Sequence, residues 1–553
     1  MLTPEELTAL PIFAELPPAD LANLARAAAD IRLEAGEYAV HEGGESALFI
    51  VVSGRIEAVR LADGLEQVVG NRLPGVIFGE VPVVLGTPFP VGFRAAEPSR
   101  VMRLGIRDYH ALAAAAPKVA QQVAALARER IGGLQDLASR PAEPRLTIVG
   151  HRWDMQCGDL RRFLTRNHIV YDWLLPDDAD LERRWPGASA RLDDHPLIRL
   201  KDGTDLTGLP RRELADRLGL QIAPTRDIYD TIIIGGGPAG LAAAVYGASE
   251  GLRTLVVERE APGGQAGTSS RIENYLGFPG GVSGDELAAR ALQQARRLGA
   301  EILVTRAVTG IDPASRTVTL DGGEVVRART VILATGVAWR RIGLDGFDRL
   351  LGRGIHYGAS RSEAPYVHGL DVHLIGAGNS AGQAALFFAA HARSVTLVVR
   401  GDGLAASMSH YLIEQLRAKP NIRLQARAEV TGVEGTQHLE AVTITSRDTG
   451  EAVREASGGL FVFIGADAET EWLPDIVTRN DRGYVLTGDD VVRSGQWPLA
   501  RDPYLLETSV PGVFACGDVR LAPVKRVAAA VGEGSMAIAF VHQFLAQEQA
   551  APK

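Results

Sequence analysis

The chain has 553 residues, room for three to four domains, and its 46% hydrophobic and 23% charged residues suit packed cores in water. A formal net charge of −9 and a pI near 5.8 give no electrostatic case for nucleic acid. Two cysteines, Cys157 and Cys516, leave no disulfide framework and no metal cluster; with no apolar run of membrane-spanning length and no basic-apolar leader at Met1, the expectation is a cytoplasmic protein without a membrane partner.

Residues 1–30 read as helical and Ala-rich, with Pro17-Pro18-Ala19-Asp20 as a helix start. From Ile31 to Leu104, short alternating strands are divided by Gly36, Gly43-Gly44, Gly54, Gly64, Gly75 and Gly79, which predicts a small β-roll. Pro117 to Ala138 reads as one helix with Val119, Val123, Leu126, Ile131 and Leu134 apolar, and a linker follows at Arg140-Pro141-Ala142-Glu143-Pro144. The run Phe49-Ile50-Val51-Val52-Ser53-Gly54-Arg55-Ile56, followed by Phe78-Gly79-Glu80, resembles the cyclic nucleotide-binding domain family. The resemblance implies Glu80 on a ribose hydroxyl and a downstream arginine on the cyclic phosphate. Phe89 stands where that arginine belongs, and Arg94 could serve only if the strand ending at Leu104 were shortened. A buried phosphate without a cation is poorly compensated. The residues therefore weigh against a bound cyclic nucleotide and for a roll kept for packing or for another ligand. No helix-turn-helix follows.

Residues 145–220 read as a small α/β module: a strand at Arg145–Val149, a helix from Gly158 to Asn167, and strands at Ile169–Leu175 and Leu197–Leu200. His195-Pro196 before the third strand resembles the cis-proline position of the thioredoxin and glutaredoxin fold. Those proteins need Cys-x-x-Cys at the first helix, because one thiolate attacks and the second resolves the mixed disulfide. The corresponding stretch, His151 to Cys157, holds one thiol. Cys157 reads as a packing residue, with a lone redox thiol as the alternative, and the module reads as a docking or dimerisation element. Gln221–Asp227, with Pro224, reads as the next linker.

Next comes Tyr229-Asp230-Thr231-Ile232-Ile233-Ile234-Gly235-Gly236-Gly237-Pro238-Ala239-Gly240, then an Ala-rich helix and the strand Thr254-Leu255-Val256-Val257-Glu258. Strand, glycine turn, helix, strand and acid in that order predict a dinucleotide site. Gly235 allows the turn, Gly237 the approach of a pyrophosphate, Gly240 close helix packing, and Glu258 accepts from ribose hydroxyls. Further on stand Ala261-Pro262-Gly263-Gly264-Gln265, Arg271-Ile272-Glu273-Asn274-Tyr275, Val331-Ile332-Leu333-Ala334-Thr335-Gly336, and Pro511-Gly512-Val513-Phe514-Ala515-Cys516-Gly517-Asp518 with Lys525-Arg526-Val527-Ala528. Together these resemble the low-molecular-weight thioredoxin reductase family over residues 228–545. The resemblance implies FAD, held also by Gly264, Gln265, Asn274, Val308, Thr335, Gly336, Asp518, Arg526, Val527 and Ala528. It further implies a homodimer and a rotating nicotinamide domain.

A second strand–turn–helix runs through Val372-His373-Leu374-Ile375-Gly376-Ala377-Gly378-Asn379-Ser380-Ala381, and its second strand, Val395–Val399, is followed by Arg400 in place of an acid. An arginine there can pair with a 2′-phosphate, so NADPH is expected over NADH. The family shows further basic residues where this chain has Gly401 and Ala405. The family's Cys-x-x-Cys follows a Gly-Arg-Gly turn, and here Gly352-Arg353-Gly354-Ile355-His356-Tyr357 leads to Gly358-Ala359-Ser360-Arg361. Gly358 and Arg361 replace both cysteines. Cys516 reads as core, and His356 and Tyr357 as bystanders. No catalytic side chain and no metal ligand is expected.

The expected architecture is multidomain. It comprises a β-roll with its helix (1–140), a thioredoxin-like module (145–220), and two Rossmann-like domains, one for FAD (228–338 and 467–553) and one for NAD(P)H (339–466). The expected activity passes electrons from NADPH through FAD to a non-dithiol acceptor, a small molecule or a redox protein. A flavin-based redox or nucleotide sensor, and a disulfide reductase borrowing a thiol from elsewhere, are the alternatives.

Overall fold

The computed structural model describes every residue except 1, 63–64, 140–142, 152–153, 192–195, 270, 359–360, 522–523 and 551–553. Gly64, the linker residues 140–142, His195 and the Ala359-Ser360 pair thus lie outside the described residues, as do the side chains of Leu134 and Arg361. The chain forms two compact units, Met1–Glu143 and Pro144–Lys553.

The first unit opens with α1 (Pro4–Thr8), where Thr3 and Glu6 form a reciprocal capping box, and α2 (Pro18–Ala27), which starts at the proline pair. Strands β1 (Ala29–Leu33), β2 (Tyr38–Val40), β3 (Ala47–Ser53), β4 (Ile56–Ala62), β5 (Leu65–Arg72) and β6 (Ile77–Phe78) follow, then α3 (Glu80–Leu85), β7 (Gly92–Ala95) and β8 (Ser99–Gly105). They make two four-stranded antiparallel sheets, ordered β1-β8-β3-β6 and β2-β7-β4-β5. Phe49, Phe78, Phe89 and Phe93 fill the space between the sheets, with ring centroids 4.4–5.9 Å apart in stacked and edge contacts. Helices α4 (Ile106–Ala115) and α5 (Pro117–Ser139) close the unit.

The second unit begins with β9 (Leu146–Val149), α6 (Met155–Arg166), β10 (Tyr171–Leu174), α7 (Leu181–Arg184), β11 (Leu197–Leu200), β12 (Asp205–Thr207) and α8 (Arg211–Arg217). The sheet order is β10-β9-β11-β12, with β10 parallel to β9 and the other pairs antiparallel, a thioredoxin-like arrangement. The stretch after α8, which reads as a linker in sequence, is tied down. The Gln221 carbonyl accepts from Val304 N–H at 3.0 Å, the Ile222 carbonyl from Arg306 at 2.8 Å, and Glu301 accepts from Thr225 N–H at 3.0 Å and Tyr229 Oη at 2.7 Å.

A seven-stranded sheet comes next, from β13 (Ile228–Ile234), α9 (Pro238–Ser249), β14 (Thr254–Val257), α10 (Gly284–Arg297), β15 (Glu301–Leu303), β16 (Val308–Asp312), β17 (Thr317–Leu320) and β18 (Val325–Leu333). Its parallel part, β15-β14-β13-β18, is covered on both faces, so Ile232-Ile233-Ile234, Leu255-Val256-Val257 and Val331-Ile332-Leu333 are apolar runs without alternation. The chain then crosses to β19 (Ala338–Trp339), α11 (Phe347–Leu350), β20 (Ile355–Tyr357), β21 (Asp371–Ile375), α12 (Asn379–Phe388), β22 (Ser394–Val399), α13 (His410–Arg417), β23 (Ile422–Ala426), the antiparallel meander β24 (Ala428–Glu434), β25 (Ala441–Ser446) and β26 (Ala452–Ala456), and β27 (Gly459–Val462). The parallel sheet here is β20-β27-β21-β22-β23. It returns through β28 (Ala466–Asp467), which pairs with β19, and ends with α14 (Asp489–Ser494), β29 (Val513–Ala515) beside β18, and α15 (Val527–Ala550).

Helix α15 amends the sequence expectation of no apolar run of membrane-spanning length, because by length and composition it is such a helix. Its apolarity has a local use. It lies along α9, burying Gly534, Ala537, Ile538, Val541, Phe544 and Leu545, and a Cβ at Gly534 would stand 2.1 Å from the Ala239 carbonyl oxygen. Two apolar helices at that spacing make a core contact.

Candidate active site

The glycines of the first turn answer to different neighbours. Gly235 has φ 105°, and a Cβ there would meet the Ala334 carbonyl oxygen at 2.5 Å; one on Gly240 would meet the Gly235 carbonyl oxygen at 1.9 Å. Both are required by the protein's own packing. Gly237 is extended, at φ −73° and ψ −174°, and the nearest atom to a Cβ there is Gly264 Cα at 3.9 Å. Nothing in the fold needs a glycine at that point, so the opening suits a ligand. Pro238 and Ala239 start α9, whose unpaired N–H groups and dipole face the opening.

Glu258 is 8% exposed. Its Oε2 accepts from Gly236 N–H at 2.7 Å and its Oε1 from Glu260 N–H at 2.9 Å. Burial raises its pKa, while the N–H bonds oppose the rise. Each carboxylate oxygen keeps a lone pair for a hydroxyl. Arg306 N–H donates to the Glu258 carbonyl at 3.0 Å, which brings the segment entering β16 at Val308 alongside Glu258. The Thr335 hydroxyl is buried without a hydrogen-bond partner, and Gly336, at φ 65°, has open space where a Cβ would be. Gln265 donates to the Val337 carbonyl, Asn274 is exposed, and burial raises the Asp518 carboxyl against the pull of Lys525. Arg526-Val527-Ala528 stand at the start of α15. An orphaned hydroxyl, an unfilled glycine cradle, a helix N-terminus and a buried carboxylate fit a dinucleotide such as FAD.

The second turn repeats the pattern. A Cβ at Gly376, φ 144°, would meet the Phe463 carbonyl oxygen at 2.5 Å, while Gly378 has open space. Asn379, Ser380 and Ala381 form the first turn of α12, and Asn379 Oδ1 accepts from Ser409 N–H at 2.7 Å, joining that turn to the start of α13. The Tyr411 phenol on α13 is raised chiefly by burial; Glu273 and Arg526 of the flavin domain are among the groups acting on it. Tyr411, in the first turn of α13, thus lies near the flavin domain.

Arg400 is exposed at the end of β22. The structure adds Arg447, which sequence spacing does not reveal; its Nη1 donates to the Arg400 carbonyl at 3.2 Å. Both nearby carboxylates are engaged by a third arginine: Arg427 pairs with Asp402 at 2.7 Å and Asp448 at 3.5 Å. That leaves Arg400 and Arg447 without an ion-pair partner among the described residues.

At the family's dithiol position, Gly358 has φ 79°, and a Cβ there would stand 3.6 Å from Trp339 and 3.9 Å from Thr268 Oγ1. His356 stacks on Phe461 with centroids 5.3 Å apart and is pushed down to about 3 by burial, with Arg162 adding to the effect. Tyr357 Oη accepts from Ile342 N–H at 2.7 Å. Cys157 and Cys516 are free and buried, and burial raises both thiols well above the usual range, with Asp154 adding to the rise at Cys157. A Cβ on Gly150 would lie 2.0 Å from Cys157 Sγ, so the sulfur is closely packed.

In the roll, Phe89 is 2% exposed within the aromatic core. Arg94 is engaged by Glu57 at 3.1 Å and by Glu66, and Glu80 pairs with Arg130 of α5 at 3.0 Å.

The family model for pyridine nucleotide-disulphide oxidoreductases matches residues 229–534, and the model for the cyclic nucleotide-binding domain matches residues 30–115. Thioredoxin reductase of Bacillus subtilis (strain 168) is 32% identical over 325 residues, 58% of this chain and 96% of that protein. The F subunit of alkyl hydroperoxide reductase from Pseudomonas putida is 35% identical over 317 residues, 56% of this chain; the match spans 57% of that relative's length. Among solved structures, Lactococcus lactis thioredoxin reductase in its FR conformation superposes with a TM-score of 0.52 at 28% identity, over 58% of this chain and 99% of that one. The T. acidophilum thioredoxin reductase gives 0.51 at 27% identity, over 57% and 99%. The chain therefore belongs to the pyridine nucleotide-disulphide oxidoreductase family, as an NAD(P)H-dependent flavoprotein oxidoreductase related to thioredoxin reductase and preceded by a cyclic nucleotide-binding domain.

Proposed function

We propose that this enzyme oxidises NADPH through FAD and delivers the electrons to an acceptor other than a dithiol of its own. The observation that carries the reading is the cysteine inventory: two in the whole chain, both buried, with Gly358 and Arg361 at the family's dithiol position. Disulfide exchange needs an attacking thiolate and a resolving thiol. Burial keeps each of these sulfurs protonated, and neither has a partner cysteine nearby in sequence. FAD would supply hydride acceptance and onward electron transfer. The chain's own residues bind its pyrophosphate at the α9 N-terminus, hold its ribose through Glu258, and shape the ring pocket with Gln265, Thr335 and Asp518.

Selection of NADPH rests on Arg400, supported by Arg447. With Arg427 occupied by Asp402 and Asp448, these two guanidinium groups supply the positive charge for a 2′-phosphate. The test of the central reading is a Cys157→Ser, Cys516→Ser double variant. It should retain its flavin and reduce a quinone with NADPH within about twofold of wild type, since no thiol takes part. Abolished turnover in a folded, yellow double variant would contradict the reading. Pairing through the flavin domains into a homodimer is a further part of the proposal, checked by sedimentation.

A further inference from the structure

We infer that the acceptor is a small diffusible molecule and not a folded redox protein, because the thioredoxin-like module occupies, in the same chain, the face where a protein acceptor would dock. The inference rests on the non-dithiol reading and adds the chemical class of the acceptor.

Helix α6 lies against the downstream flank of the segment holding Gly358 and Arg361, and its Arg162 is near enough to the upstream flank to act on His356. On the downstream flank, the Arg161 guanidinium sits 3.6 Å from the Trp173 ring centroid and 5.1 Å from that of Tyr366, and the two rings meet at 6.2 Å and 61°. An arginine shared by two aromatic faces holds by cation–π attraction and by excluding water. On the upstream flank, the Arg162 charge is among the causes that depress His356. The same helix grips the flavin domain at its other end. Arg166 pairs with Glu260 at 2.9 Å and donates to the carbonyls of Ala261 at 3.1 Å and Gly264 at 3.0 Å, on the loop that carries Gln265.

The module's tail is fastened as well. Arg212 pairs with Asp321 and donates to the Thr305 carbonyl at 3.4 Å. Arg306, 2% exposed, donates to the Ile222 carbonyl at 2.8 Å and pairs with Asp321 at 3.0 Å and Glu324 at 2.6 Å. The ion pairs of Arg306 lie within the flavin domain and hold its guanidinium in place for the Ile222 carbonyl.

This contact joins two ends that lack their chemistry. Cys157 lies one turn before Arg161 on α6, its sulfur packed against Gly150, and Asp154 caps the helix by accepting from Cys157 N–H at 2.7 Å. Across the contact is Tyr366, which follows Gly358 and Arg361 in the sequence. A module held against that face without a reactive thiol on either side excludes a second folded protein from it. A small two-electron acceptor needs only an opening to the flavin. The balanced reaction is NADPH + H⁺ + quinone → NADP⁺ + quinol: two electrons and one proton leave NADPH as hydride, and solvent supplies the second proton. Dioxygen, giving NADP⁺ and hydrogen peroxide, balances in the same way.

The test uses full-length holoenzyme and anaerobic NADPH oxidation with a water-soluble benzoquinone, oxidised thioredoxin, ferredoxin or cytochrome c, and a separate aerobic arm without added acceptor. Quinone or dioxygen should be turned over at least roughly tenfold faster than any folded acceptor. An Arg161→Ala, Tyr366→Ala double variant should exchange amide hydrogens faster across residues 361–366, gain cytochrome c reduction, and keep its quinone rate. Wild-type reduction of a folded acceptor at the quinone rate overturns the inference, as does unchanged exchange across 361–366 in the double variant. If that protein reduction survives Cys157→Ser, Cys516→Ser, only the acceptor class falls; if it is lost there, the non-dithiol reading falls with it.

Discussion

Only Pro238 and Ala239 separate Gly237 from Gly240, yet a side chain at each would have different surroundings. At Gly240 a Cβ would lie 1.9 Å from a backbone oxygen, whereas at Gly237 it meets nothing within 3.9 Å. Gly237→Val should therefore give a folded but colourless protein, and Gly240→Val an insoluble one, read by circular dichroism and the flavin band together. A yellow Gly237→Val protein with full flavin content would refute the pyrophosphate assignment. For the nicotinamide site, Arg400→Ala and Arg447→Ala should each raise the apparent NADPH constant by about tenfold, roughly 1.4 kcal/mol, and leave NADH nearly unchanged. Equal losses for both nucleotides would make the arginines structural. These residues also mark what sequence can convey. The glycine turn and Glu258 are legible because one strand–turn–helix–strand unit fixes their spacing. Arg447 is not, because 47 residues separate it from Arg400 and the β25–β26 hairpin brings it there.

Elements show the same division. The buried parallel strands announce themselves as apolar runs, and the β-roll as short glycine-punctuated strands. The docking of α6 leaves no local pattern, since the partners of Arg161 and Arg166, Tyr366 and Glu260, stand far along the chain. The segment at 221–227 reads as a free linker because Pro224 and polar residues dominate it, while the groups that fix it, Glu301 and Arg306, come from the neighbouring sheet.

Strand β20 carries a pH-dependent contribution of definite sign. His356 is held near 3 in the folded chain against an ordinary 6.5. The unfolded chain therefore binds a proton that the folded chain refuses between those values. The contribution is fully present above pH 6.5 and is lost progressively as pH falls toward 3. A His356→Asn variant should show a shallower fall of Tm on acidification than wild type over that window, and parallel curves would contradict the assignment. Raised thiol pKa values make a separate forecast: native Cys157 and Cys516 should resist iodoacetamide at pH 8, reacting at least about a hundredfold more slowly than in urea.

At the scale of the whole molecule, the N-terminal unit belongs by sequence to a nucleotide-binding family, but its interior is occupied. Phe89 packs among Phe49, Phe78 and Phe93, Arg94 is engaged by Glu57 and Glu66, and Glu80 pairs with Arg130 through Oε1 while its buried Oε2 has no hydrogen-bond partner. Isothermal titration should show no micromolar binding of cyclic AMP or cyclic GMP; such binding would require Phe89 and Arg130 to move aside. On the proposed reading, thiol chemistry is absent from the nicotinamide domain and from the thioredoxin-like module, which meet through Arg161 and Tyr366. The proposed enzyme is a flavoprotein whose electrons would have no protein sulfur to reach. Anaerobic titration of the holoenzyme with NADPH tests that claim most directly. The account predicts complete bleaching of the flavin at one NADPH per FAD, with no long-wavelength thiolate-to-flavin charge-transfer band. Uptake of a second equivalent with such a band, absent from the Cys157→Ser variant, would contradict it.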